Sequence, residues 1–243
     1  MLKSAITSFT NFVRPAYELI YPPTCLACEC HLADITSRIC ADCWSKIRRL
    51  TSGDDLYCEK LNELVAGGNV SGFASAFHFE KDGVLQNLIH QLKYREMTRV
   101  GTELGRLIGE SLREMLGGVA FDAIVPIPLH PARERERGYN QSEIICRAVS
   151  RDIGVPTRSL LKRIRHTKTQ TKLDSRQRKE NVAGAFALRR RFARLVDGKM
   201  VLLVDDIITT GATVDECARV LKRHGADRVF AASVAVPDHT HLP

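Results

Sequence analysis

The residues best equipped for chemistry stand together at positions 201–213, VLLVDDIITTGAT. Asp205 and Asp206 are adjacent carboxylates that repel one another unless a ligand or solvent engages both. Thr209, Thr210 and Thr213 supply hydroxyl donors around Gly211 and Ala212. Two acceptors side by side suit a pair of vicinal hydroxyls. A glycine at the start of a helix lets the backbone approach a phosphate, and the first amides of that helix have no acceptor of their own. A diol beside a phosphate describes a ribose 5-phosphate. Other phosphate loops fit less well, because no lysine follows the glycine and the chain has no Gly-x-Gly-x-x-Gly run. The plainer alternative is a strand-to-helix turn capped by Asp and Thr, which leaves two carboxylates and three hydroxyls unexplained.

A second constellation is CLAC…CADC, which places Cys25 with Cys28 and Cys40 with Cys43. Each Cys-x-x-Cys turn presents two thiolates, and two such turns complete a tetrahedral sulfur site suited to structural zinc. A disulfide framework and a thioredoxin-like redox pair are the weaker readings. Cys30, His31 and Cys58 are spare candidates. Cys146 and Cys217 fall in helical patterns and read as core.

Charge is unevenly spread. The chain has 36 Lys and Arg against 28 Asp and Glu, a net charge of +8. Residues 158–194 alone hold thirteen Lys and Arg against Asp174 and Glu180, roughly the whole excess. So concentrated a field suits a polyanion such as a phosphate, a nucleotide or nucleic acid, with a solvated basic face as the alternative.

The elements that must position these residues follow from periodicity. The first 60 residues read as a short amphipathic helix followed by a metal-dependent module, and residues 70–243 as a larger domain. In that domain FASAFHF, FDAIVPIPLH, KMVLLVDD and RVFAASVAV are apolar strands. DGVLQNLIHQLKY, VGTELGRLIGESLREML, NQSEIICRAVSRDIG and TVDECARVLKRHGA carry helical spacing, the first with Asp82 as its expected N-cap. Strands alternating with helices predict an α/β fold, a mostly parallel twisted sheet flanked by helices. Its ligand belongs beyond the carboxyl ends of the strands, where Asp205 and Asp206 fall. No apolar run reaches the ~20 residues that span a membrane. The opening residues do not read as an export signal, so a cytoplasmic location is expected.

Residues 201–213 resemble the phosphoribosyl pyrophosphate (PRPP) motif of type I phosphoribosyltransferases. IHQLKYR at 89–95, RERGYNQ at 135–141 and HTKTQTKLDSRQRKENVAGAF at 166–186 narrow the likeness to the ComF family of competence-associated proteins. That family joins an N-terminal zinc module to a type I phosphoribosyltransferase fold, and the likeness covers nearly the whole chain. It implies that Asp205 and Asp206 take the ribose hydroxyls and that Thr209, Thr210, Gly211, Ala212 and Thr213 hold the 5-phosphate. It implies pyrophosphate contacts for Arg133, Arg137 and Lys93, and a closing loop that contributes Gln170, Arg178 and Asn181. Surface pairing with Glu134 and Glu136 is the alternative for the two arginines. A terminal cation on its helix is the alternative for Lys93. The family usually has Phe and Glu where this chain has Tyr139 and Gln177, and it often has a second set of paired cysteines where this chain has only Cys58, which implies a single metal.

The implied activity is a pentosyl transfer in which pyrophosphate leaves the anomeric carbon, aided by Mg²⁺. No general base stands out, since His78, His90 and His130 have no partner legible in sequence. The rival reading is a non-catalytic accessory protein that binds single-stranded nucleic acid on the same fold. Aromatics are only 6% of the chain, with Phe186 in the basic stretch, so stacking support for that reading is thin. Candidate partners are PRPP or a related phosphoribosyl compound, single-stranded DNA, and a second copy of the chain.

Overall fold

The alternation of apolar strands with amphipathic helices decides the architecture. A computed structural model describes residues 23–32, 38–94, 98–165 and 175–238. The chain divides into two compact units between Ile47 and Arg48.

In the smaller unit, Thr24 and His31 pair as an antiparallel bridge. Between them the chain doubles back, with Glu29 in the left-handed region (φ 62°) and the Cys25 amide donating to the Cys30 carbonyl at 2.8 Å. A short helix, α1 (Ala41–Ser45), starts at Cys40, whose sulfur accepts from the Cys43 amide.

The larger unit opens with α2 (Asp55–Ala66), a helix the sequence reading did not separate from the cysteine module. Its Leu56, Tyr57 and Leu64 join the core of the larger unit, and the Tyr57 hydroxyl donates to the Phe73 carbonyl at 3.1 Å. That buried face ties it to the domain that follows, although its sequence neighbours are the cysteines. Strand β1 (Phe73–Phe79) is followed by α3 (Val84–Tyr94), α4 (Thr98–Met115), β2 (Ala123–Pro126), α5 (Pro131–Arg137) and α6 (Gln141–Ile153). Then come β3 (Leu161–Arg163), α7 (Ser175–Val182) and β4 (Phe186–Leu188), and after a 3₁₀ turn at Arg190–Leu195, β5 (Met200–Ile207), α8 (Ala212–Arg223) and β6 (Arg228–Pro237). Asp82 is not a cap. It sits in the left-handed region (φ 60°) and its amide donates to Gln86 Oε1 at 2.9 Å.

The main sheet runs β1-β6-β5-β2 and every pair is parallel. Val201–Val204 of β5 are fully buried, as a central parallel strand with helices on both faces requires. Val201 and Leu203 share a cluster with Val214, Cys217 and Leu221 of α8, while α6 packs on β5 and β2. Within the basic stretch, β3 and β4 form a separate antiparallel pair that periodicity did not reveal. Helices α4 and α6 meet closely because α4 presents Gly105. A Cβ there would lie 2.5 Å from Ala148 Cβ and 2.8 Å from the Ile145 carbonyl. That approach lets α6 pack closely on α4, and α6 begins beside the end of β2. Among the described residues no helix is long and apolar enough to cross a membrane.

Candidate functional site

The carboxyl end of β5 carries the two acids, and a pleated strand sends successive side chains to opposite faces. They therefore have different neighbours. Asp205 is half-buried and its Oδ1 accepts from Ser142 Oγ at 2.9 Å and from the Asp206 amide at 2.9 Å. Asp206 is buried, and its Oδ2 lies 2.7 Å from Lys93 Nζ at the end of α3. Its Oδ1 accepts from the Ile207 amide at 2.8 Å.

Two carboxylates this close do not ionise alike. Burial, reinforced by the charge of Asp206, pushes Asp205 up to about 8. Burial works in the same direction on Asp206, but the Lys93 ammonium outweighs it and holds that group below the ordinary carboxylate range. The two environments thus favour the protonated form of Asp205 and the ionised form of Asp206.

The chain then turns through Thr209 and Thr210, both half-buried, to Gly211 (φ 72°), which caps α8 without a side-chain bond. The intrahelical ladder of α8 opens with the Asp215 amide donating to the Gly211 carbonyl at 2.8 Å. Lys60 of α2, only 3% exposed, donates to the Thr209 carbonyl at 2.8 Å.

Facing elements complete the rim. Asn140 caps α6, accepting from the Ser142 amide at 3.1 Å and donating to the Ile127 carbonyl at 2.9 Å. The Tyr139 hydroxyl donates to the Leu92 carbonyl, a bond beside Lys93 that phenylalanine cannot make. Arg137 donates to Gln141 Oε1 at 2.9 Å. Arg133 stands in the electrostatic range of Arg163, whose pKa is lowered by burial first and by the Arg133 charge second. A small cleft beside β2 is walled by Pro126, Pro128, Asn140, Glu143, Arg163 and Arg189, and neither acid is among its walls.

The structure brings Asp205, Asp206, Lys93 and the Thr209–Thr213 turn to one end of the sheet. Arg178 is buried in α7 at 4% exposure, so it is not displayed on an open loop. The Asn181 carbonyl accepts from Arg165 at 3.1 Å. Gln170 lies outside the described residues. Phe186 is buried beneath the Arg163 guanidinium, so it offers no open face for stacking a base. Sequence reasoning missed Lys60, Ser142 and Arg163. A lysine in an amphipathic helix and a serine after a cap carry no signal until the fold brings them to Thr209 and Asp205.

In the smaller unit, Cys25, Cys28, Cys30 and Cys40 bring their sulfurs within 4.8 Å of one another. Cys30, a spare on sequence, joins because the Glu29 turn folds it back. Cys43 adjoins the group through contacts with Cys28, Cys40 and Cys25. Burial opposes ionisation of Cys25, yet backbone donors led by the Cys40 amide bring it down to about 6. Hydrogen bonds to Cys28 and Cys40 push Cys30 up to about 12, since each thiolate discourages the next. Clustered thiols of this kind are completed by a soft or borderline cation, and they fit structural zinc. His31 is outside the group, and Cys58 lies on α2 of the larger unit.

Residues 140–242 match the family model of the phosphoribosyl transferase domain, and residues 16–73 that of the double zinc ribbon domain. The competence protein F of Haemophilus influenzae is 32% identical over 152 residues, 60% of this chain and 65% of that protein. The chain is similar to competence-associated proteins of the ComF type. A second relative, the DNA utilization protein YhgH of Escherichia coli, is 38% identical over 149 residues, covering 60% of this chain and 64% of that protein. The aligned part thus spans slightly under two thirds of each. The competence protein ComFC of Bacillus subtilis is 32% identical over 112 residues, 46% of this chain and 41% of that protein. The two domain matches agree with the observed architecture, a parallel sheet flanked by helices together with an N-terminal cysteine cluster. Although the zinc model is a double ribbon, the described residues of this chain form one thiol cluster.

Proposed function

We propose that the chain binds PRPP, or a related phosphoribosyl compound, at the carboxyl end of β5 and acts as a phosphoribosyltransferase. The names of its relatives add a role connected with competence and DNA utilization. The observation that carries this reading is the junction of the Asp205–Asp206 pair with a glycine-capped helix start, which offers diol acceptors next to phosphate donors.

The two carboxyls accept from the ribose 2- and 3-hydroxyls, and the Thr209–Thr213 turn holds the 5-phosphate. Because Lys93 already occupies Asp206, the sugar displaces that ammonium, which becomes available to the pyrophosphate. Arg133 and Arg137 supply planar guanidinium donors for the same oxygens. The bond from the anomeric carbon to pyrophosphate breaks with both electrons leaving on oxygen, and an electron pair from the acceptor forms the new bond. Mg²⁺ brought in with the substrate would supply charge neutralisation on the leaving pyrophosphate.

Calorimetry with PRPP and Mg²⁺ tests the reading. Saturable binding to the wild type that disappears in Asp205→Asn/Asp206→Asn is the expected result. Binding that survives both substitutions places the sugar elsewhere. A pool of cell metabolites added with labelled PRPP should then release pyrophosphate when the acceptor is present.

A further inference from the structure

The turn at Thr209–Gly211 is held from behind by one helix that sequence alone assigns to no site. Lys60 Nζ donates to the Thr209 carbonyl at 2.8 Å and pairs with Glu63 Oε2 at 2.5 Å. One turn further along α2, Leu64 closes on Gly211, where an added Cβ would lie 2.4 Å from Leu64 Cδ2. The Lys60 side chain is 4% exposed, whereas Glu63 is 43% exposed. A buried ammonium is costly unless its donors are used, and here a backbone carbonyl of the turn uses one of them.

The consequence lies in the peptide plane. The Thr209 carbonyl and the Thr210 N–H belong to one planar trans unit and point in opposite directions. With the carbonyl held toward α2, the Thr210 N–H must face away from α2, toward the side of the turn that α2 leaves open. Were this peptide to rotate, a carbonyl oxygen would face an arriving anion and repel it. The ammonium also adds a positive charge behind a helix N-terminus that is already positive.

We infer that Lys60 is a positioning residue for the 5-phosphate subsite: it sets the Thr209–Thr210 peptide so that the Thr210 amide donates to a phosphomonoester. The inference rests on the phosphoribosyl reading above and adds a residue outside the motif, from an element nearly 150 positions earlier in the chain.

Lys60→Met keeps the stem that packs in the core and releases Glu63 to solvent, and Lys60→Arg keeps the cation. Calorimetry on the full chain uses ribose 5-phosphate as one probe and pyrophosphate with Mg²⁺ as the other. The expected result is a tenfold or greater loss of ribose 5-phosphate affinity in Lys60→Met, recovery to within about fivefold of wild type in Lys60→Arg, and unchanged pyrophosphate affinity in both. Equal loss for both probes would mean a general disturbance of the fold and overturns the inference, as does a Lys60→Met variant that binds ribose 5-phosphate like the wild type. If the wild type binds no ribose 5-phosphate, the phosphoribosyl reading falls and this inference with it. A second measurement needs no variant. In amide NMR of the wild type, saturating ribose 5-phosphate should shift the Thr210 N–H and slow its exchange, and a bound complex with that amide unmoved overturns the assignment.

Discussion

Replacing Lys93 by methionine should turn the acid pair into a pH-dependent liability. Lys93 Nζ lies 2.7 Å from Asp206 Oδ2, with the lysine side chain 24% exposed and the aspartate 8% exposed. Removing one partner of a buried pair typically costs about 3–5 kcal/mol, mostly for the charge left behind. Partial exposure of Lys93 lowers the expectation to about 2 kcal/mol near pH 8. In the wild type the folded-state pKa of Asp206 is depressed, so its contribution is present above the unfolded value and lost as pH falls through the folded one. Without the ammonium, burial and Asp205 dominate and the sign reverses. The folded state then holds a proton that the unfolded chain has released, and the deficit grows with pH by up to about 1.4 kcal/mol per unit. Urea denaturation at pH 5, 6.5 and 8 measures this directly. Adding Asp206→Asn to Lys93→Met should recover most of the loss at pH 8. A deficit that is the same at all three pH values, or one that Asp206→Asn leaves untouched, refutes the electrostatic account of the pair.

Further outcomes follow from the same contacts. Asp205, pushed up to about 8, holds its proton longer when folded, so wild-type stability should fall between roughly pH 4 and 8; Asp205→Asn should flatten that slope in thermal melts while keeping an acceptor for Ser142. Gly105→Ala should destabilise by about 1–2 kcal/mol, because overpacking against the Ile145 carbonyl outweighs the gain in helix propensity, and a raised melting temperature would contradict the close α4–α6 approach. Metal analysis of the full chain should find about one zinc per chain; chelation should open the Cys25–Ile47 region to protease and leave the urea transition of the larger unit in place. If chelation unfolds both units together, the division between Ile47 and Arg48 is not a thermodynamic one.

Much of the larger unit is legible in the sequence because its signals are local. The unbroken apolar run before Asp205, with its β-branched valines, reads as a buried parallel strand once its short length is weighed, and the change from that run to Thr-Thr-Gly marks the turn and the helix start. The Cys-x-x-Cys pairs announce a metal module for the same reason, since two thiols three positions apart share one turn. Pairing across the chain is a different matter. Whether Lys93 meets Asp206 or solvent depends on where α3 ends, and that is set by contacts from other elements, the close approach of Gly101 to Leu92 and the Tyr139 bond to the Leu92 carbonyl. Cys30 enters the thiol cluster through a left-handed Glu29, a backbone choice that residue type does not dictate. Lys60 reaches Thr209 only once α2 has packed on the larger unit. Residue order thus determined which groups stand at the end of β5, through periods of two and 3.6 that act over a few neighbours. Only tertiary packing decided which of their charges are compensated and which way the turn's amides face, because partners so distant in sequence are chosen by helix docking rather than by local preference.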